Sequence, residues 1–79
     1  MTKELFMIQR KTPATNFYTI HKNLRLQDAC ELLLDISENY IDEAEATFLY
    51  SDNDLFESLT IQPYDTGNDV IEYRIVEQI

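Results

Sequence analysis

The chain has little of what a flexible, disulfide-linked or metal-binding protein needs. It contains one Gly, two Pro, one Cys, one His and no Trp among 79 residues. A single cysteine, Cys30, excludes an internal disulfide. One Cys and one His are too few for a zinc site, and one Gly is too few for a phosphate-cradling loop. The shortage of Gly and Pro also predicts short connections and no linker.

Positive charge is the second scarcity. Six Lys and Arg stand against fifteen Asp and Glu, which gives a net charge of −9. Residues 1–25 carry five basic and one acidic residue, whereas residues 26–79 carry one basic and fourteen acidic residues. Such a body repels nucleic acid and anionic membranes and attracts basic surfaces. No secretory signal or membrane-spanning apolar run is present, so we expect a cytoplasmic protein with no membrane partner and no direct nucleic-acid contact.

Five segments have the composition of β-strands. Glu4–Lys11 and Phe17–Lys22 flank a turn and predict an antiparallel hairpin. Glu45–Asp52, Leu55–Gln62 and Val70–Gln78 predict a three-stranded meander in which alternate residues of each strand share a face.

Between these groups the apolar period changes to three and four residues, which indicates a helix that fades near Asn39–Asp42. Its apolar face comprises Leu26, Ala29, Cys30, Leu33, Ile36 and Tyr40. Leu32 and Leu34 widen that face, and Asn23 is the predicted N-cap. The order ββαβββ predicts one α+β domain over residues 1–79: a two-layer fold with a mainly antiparallel sheet of about five strands packed on one amphipathic helix.

The helix is acidic on its other side. The carboxylates recur at steps of three and four residues, in the order Asp28, Glu31, Asp35, Glu38 and Asp42. Residues at this spacing are neighbours on a helix, so four like-charge pairs cost about 1–2 kcal/mol in total. No Lys or Arg interrupts them. One interpretation is that the protein's function requires these carboxylates despite the loss of helix stability.

The segment Tyr40–Glu57 continues the acidity without a single Lys or Arg. Its further acidic residues are Glu43, Glu45, Asp52, Asp54 and Glu57, and its interleaved aromatics are Tyr40, Tyr50 and Phe56. Aromatic side chains beside charge are common at interfaces. Two interpretations stay open: a solvated face of an acidic protein, or a surface that docks a basic site.

Other chemistry has weaker support. Asp52–Asp54 resembles the start of a calcium loop, but the sixth position is Glu57 instead of Gly and the twelfth is Pro63 instead of Glu. We expect Cys30 to be a core residue and His21 a surface residue of a strand. The sequence therefore predicts no enzyme, no metal site and no cofactor.

Three functional hypotheses follow. The first is a small acidic inhibitor that binds a basic, nucleic-acid-handling protein by presenting carboxylates in place of phosphates. The second is an accessory subunit, or a homodimeric module, in which an edge strand containing "LFMI" (Leu5–Ile8) joins a partner's sheet. The third is single-strand binding through the basic first hairpin, which carries Arg10, Lys11, His21 and Lys22.

The first hypothesis has a parallel among known proteins. In size, acidity and lack of active-site chemistry, the chain is similar to small acidic anti-defence proteins of bacteriophages, such as anti-CRISPR and anti-restriction inhibitors. The similarity covers no motif and assigns no residue. Under the first hypothesis the protein acts stoichiometrically. The segregated charges and the exposed edge strands leave both a monomer and a homodimer open.

Overall fold

A computed structural model describes residues 4–50, 56–64 and 69–78. The elements are β1 (Phe6–Lys11), β2 (Tyr18–Leu24), α1 (Leu26–Glu38), β3 (Ala44–Tyr50), β4 (Phe56–Pro63) and β5 (Ile71–Glu77). The ββαβββ order and the two-layer α+β architecture confirm the prediction. Within the described residues, no helix is long and apolar enough to cross a membrane.

The sheet has five antiparallel strands in the order β2-β1-β5-β4-β3. The first hairpin and the final meander are both present. They are joined by β5, which pairs with the whole length of β1, from Phe6 opposite Glu77 to Lys11 opposite Glu72. The prediction that "LFMI" forms an edge strand is therefore wrong, because β1 is an inner strand. The edges of the sheet are β2 and β3.

The hydrophobic core lies between the helix and one face of the sheet. The sheet contributes Ile8, Leu59, Ile61 and Tyr73, all buried. Leu59 and Ile61 lie on the same face of β4, which confirms the prediction. Ile71 and Ile75, on the same face as Tyr73, pack against this core. The period of two in β4 and β5 therefore decided which side chains meet the helix.

The helix buries one stripe of side chains. Ala29, Cys30 and Leu33 are buried, which confirms Cys30 as a core residue. Leu32 packs against the core, but Leu34 is 41% exposed. The expectation that Leu34 widens the buried face is wrong, because it follows Leu33 by about 100° around the helix axis and so points off the sheet.

The helix begins two residues later than an Asn23 cap would require. Arg25 occupies the N-cap position in an extended conformation and makes no side-chain cap hydrogen bond. Asn23 instead lies one residue before the end of β2, with a φ of 62°. Its backbone N–H donates to Oε1 of Gln78 at 2.7 Å, and Gln78 Nε2 donates to Asn23 Oδ1 at 2.8 Å. Asn tolerates this left-handed conformation, and the bonds to Gln78 fix it beside the end of β5.

The helix carries the chain from one edge of the sheet to the other. It follows β2 and precedes β3, which lie four strand spacings apart, or about 19 Å. Its 13 residues span about 20 Å at 1.5 Å per residue. The helix packs on β1, β2, β4 and β5 on the way. Its C-terminal end therefore arrives beside β3.

Truncating the centre of this packing tests the fold. Leu33 is fully buried, so Leu33→Ala removes buried methyl groups and leaves a cavity. We expect a loss of about 2–5 kcal/mol in the free energy of unfolding, measured by urea denaturation. The matched variant is Leu34→Ala, one residue along and 41% exposed, which should change stability by less than about 1 kcal/mol. Equal losses in the two variants would contradict this placement of the helix.

Candidate functional site

Four carboxylates line the solvent side of α1. Asp28, Glu31, Asp35 and Glu38 are all exposed, and the buried stripe of Ala29, Cys30 and Leu33 lies on the opposite side. We call these four residues the acidic ridge. The structure therefore brings together four of the five helix carboxylates expected from the sequence.

Asp42 is not part of the ridge, contrary to the expectation from spacing. The helix ends at Glu38, and the carbonyl of Tyr40 accepts the N–H groups of both Glu43 and Ala44 at 2.9 Å. The turn joins the sheet at Glu43, whose carbonyl accepts the Tyr64 N–H. The helix therefore ends before Asp42, and a turn leads into β3. Three like-charge pairs remain on the helix, and together they lower its stability by about 0.6–1.5 kcal/mol.

The turn after the helix continues the negative surface. Ile41, Asp42 and Glu43 are all exposed. These two carboxylates stand beyond the helix C-terminus, where the helix dipole already presents partial negative charge. No basic residue occupies the last turn of the helix. Nothing local therefore offsets the negative potential at this end.

A groove of about 300 Å³ lies between the helix end and the edge strand β3. We call it the edge groove; its lining includes Glu38, Ile41, Ala44, Glu45, Ala46 and Tyr64. Glu45 alternates along β3 with the buried Ala44 and half-buried Ala46, so it belongs to the strand edge rather than to the ridge. Glu38 and Glu45 nevertheless line one groove.

The three aromatic candidates do not form one group. Tyr40 packs against the core, so its ring has a structural role. Tyr50 is 58% exposed, and its ring centroid lies 6.4 Å from that of Phe48. Tyr50 ends β3, about 20 Å along the strand from Ala44. It is therefore remote from the turn that follows the helix.

The prediction also named four residues that follow Tyr50 along the chain. Phe56 pairs with Tyr50 across β3 and β4, and Glu57 follows it, but the side chains of both lie outside the described part of the chain. Asp52 and Asp54 lie outside the described residues altogether. The described candidate surface is therefore the ridge, the turn and Glu45.

Two basic residues of the first hairpin, Arg10 and Lys11, are engaged elsewhere, whereas His21 and Lys22 are exposed. Nη1 of Arg10 donates to Tyr18 Oη at 2.6 Å, and its Nε donates to Tyr73 Oη at 3.2 Å. Nζ of Lys11 lies 3.8 Å from a carboxylate oxygen of Glu72. Across residues 4–50, 56–64 and 69–78, this is the one ion pair within 4 Å. None of the described candidate carboxylates is bridged to a cation.

Arg74 and Lys11 also contact an aromatic ring. The Arg74 guanidinium lies 3.8 Å from the centroid of Phe17, and Lys11 Nζ lies 5.8 Å from the same centroid. Arg74 Nε donates to Gln9 Oε1 at 2.8 Å. The strand order therefore places the sole cation of the acidic half beside the basic hairpin, away from the ridge.

Tyr73 is the titratable group that the fold perturbs most clearly. Burial raises the pKa of Tyr73, and the hydrogen bond it donates to Tyr40 raises it further, while the bond from Arg10 opposes both. The hydrogen bond to Tyr18 in turn raises the pKa of the Arg10 guanidinium. These shifts belong to the packing of the sheet.

No metal cluster accompanies the carboxylates: in the described part of the chain, no group of three or more His, Cys, Asp and Glu is placed to hold an ion. His21 is exposed on β2, as expected from the sequence. Comparison with protein-family models, with curated proteins and with solved structures finds no match.

Reversing one ridge charge should stabilise the protein. Asp35→Lys places a cation between Glu31 and Glu38 and converts two repulsive pairs into attractive ones. We expect a gain of about 1 kcal/mol in the free energy of unfolding at low salt, shrinking as added salt screens the charges. Glu77→Lys on β5 makes the same change in net charge at another exposed site. An equal gain there would show that total charge matters, not the adjacency of the ridge.

The Tyr73 shift predicts alkaline sensitivity. A raised pKa in the folded state means that stability is complete below about pH 10 and declines as the pH rises above it. Tyr73→Phe should lower stability at neutral pH, because the hydrogen bond from Arg10 is lost, yet flatten its decline above pH 10. Urea denaturation across pH 7–11 measures both effects. Tyr64→Phe, at a side chain that is 65% exposed, should keep the wild-type decline.

Proposed function

We propose that this protein is a binding protein that blocks a basic, nucleic-acid-handling partner. The acidic ridge, with Asp42 and Glu43 in the turn beyond it, would occupy cationic sites that otherwise hold phosphates. The observation that carries the proposal is that no cation neutralises the ridge carboxylates within the described part of the chain. Four carboxylates stand together on one exposed helix face, and no Lys or Arg among the described residues lies within ion-pair distance of them.

The energetics support a binding role for the ridge. Like-charge neighbours on a helix lower its stability, and three such pairs occur from Asp28 to Glu38. A cationic partner would reverse the sign of this contribution, because each carboxylate would then face an opposite charge. Binding would thus recover free energy that folding gives up, and the contribution would be specific to partners with several closely spaced cations.

The charge spacing supports an imitation of one nucleic-acid strand rather than of a duplex. The ridge extends over ten residue steps, or about 15 Å, which gives one carboxylate per about 5 Å. A single strand of B-DNA carries one phosphate per about 3.4 Å, and the duplex one charge per about 1.7 Å. The two carboxylates of the turn lengthen the row. A partner that reads the phosphates of one strand fits this spacing better.

Direct nucleic-acid binding through the first hairpin has less support. His21 and Lys22 are exposed, but Arg10 and Lys11 already contact tyrosine, glutamate or phenylalanine side chains. Freeing them for phosphates would break those contacts, and a net charge of −9 would repel the incoming chain. The same net charge favours a cationic protein.

A paired charge reversal tests the proposal. The partner is captured from a lysate of the source cells on the immobilised protein at low salt, then purified for affinity measurements. Glu31→Lys/Asp35→Lys should weaken binding at least about tenfold, and wild-type affinity should fall steeply with salt. Duplex or single-stranded DNA should compete with the wild-type protein for the partner.

The control has the same net charge as the paired variant. Glu4→Lys/Glu77→Lys reverses two exposed carboxylates that lie outside α1. It should retain most of the affinity. Unchanged binding by the ridge variant, or equal losses in both double variants, would refute a ridge-specific role. Binding of the partner that DNA does not displace would refute the mimicry.

A further inference from the structure

The outer edge of β3 has backbone groups directed away from the sheet. In an antiparallel pair, successive residues turn their N–H and C=O alternately toward and away from the neighbouring strand. The Tyr64 N–H donates to the Glu43 carbonyl, so Glu43 and then every second residue face β4. Ala46 consequently directs its N–H and C=O outward, where the sheet order places no further strand among the described residues. Such an edge is a template for another strand.

The edge groove gives an added strand something to pack against. Ile41, 71% exposed, and Tyr64, 65% exposed, lie in its lining. Its volume of about 300 Å³ is at the lower limit of small-molecule sites and accommodates one or two side chains. The described part of β3 contains no Lys or Pro, the residues that commonly protect an edge from pairing.

The charge around the edge selects the occupant. Glu38 and Glu45 line the groove, Asp42 and Glu43 stand beside it, and the groove lining contains no Lys or Arg. The side chains of an added strand alternate between the two faces of the sheet. One set would meet Ile41 and Glu38 on the helix side, and the other would meet Glu45. Cationic and apolar side chains complement both sets.

We propose that β3 accepts an extended cationic segment of the partner as a sixth strand, seated along the edge groove. This inference rests on the proposed function, because it specifies how a basic partner engages the acidic side of the molecule. Two copies paired through their β3 edges fit poorly, since each copy brings the same carboxylates to the shared edge. The other edge, β2, exposes His21 and Lys22 and would repel the same segment.

The probe is a capped synthetic peptide of four Lys-Val repeats. At saturation it should slow hydrogen exchange of the Ala46 amide at least about tenfold by NMR, because that N–H then donates across the new pair. A peptide with Glu in place of Lys should give no protection. A Lys-Val peptide N-methylated along its backbone keeps the charge but cannot pair, and it too should give none.

A backbone variant complements the peptides. Ala46→Pro removes the outward N–H and spares the hydrogen bonds to β4, a position at which edge strands tolerate proline. It should weaken peptide binding at least about tenfold. Should Ala46→Pro fail to fold, the N-methylated peptide on the wild-type protein still decides the question.

The outcomes separate the two proposals. If Ala46 gains no protection while Glu31→Lys/Asp35→Lys abolishes partner binding, the edge inference is overturned and the ridge proposal stands. If Ala46 is protected and that double variant still binds the partner, the edge inference is supported and the ridge proposal fails. Protection of Ala46 that rises with protein concentration in the absence of peptide indicates pairing between copies and overturns the inference.

Discussion

The packing of one apolar stripe of α1 across the sheet is the constraint on which the molecule depends. The strand order places the two ends of the helical connection at opposite edges, and a helix of 13 residues is just long enough to join them. Its buried residues complete the only core that the described strands share. Burial of one leucine contributes about 1.5–3 kcal/mol, which exceeds the repulsion among the ridge carboxylates. Burial of the apolar stripe therefore offsets the repulsion among the carboxylates on the outer face of the helix.

The same packing decides where negative charge is concentrated. Because the apolar stripe faces the sheet, the opposite side of the helix faces solvent, and it carries Asp28, Glu31, Asp35 and Glu38. Because the helix ends next to β3, its carboxylates run into those of the following turn without an intervening cation. The sheet meanwhile holds Arg10, Lys11 and Arg74 among tyrosines, phenylalanine and polar groups. Opposite charges are thus separated by the fold instead of cancelling one another.

The two proposed contacts use different physical interactions. The ridge acts through Coulomb attraction, which is long-range and sensitive to salt. The β3 edge acts through backbone hydrogen bonds, which are short-range and depend on strand geometry. A partner that uses both would be steered by the first and aligned by the second, which would explain why the acidic surface adjoins an edge strand that no lysine protects.

The sequence by itself determined the elements, because each follows a local period: three to four residues for the helix, two for Leu59 and Ile61. It also placed the ridge carboxylates on one face. It could not determine that Asp42 leaves the helix, that Tyr40 is engaged by Tyr73, or that β1 is an inner strand. Those outcomes depend on contacts between residues distant along the chain, above all the pairing of β5 with β1. Only the tertiary structure, through that pairing, decided which edges remain open and where the charge collects.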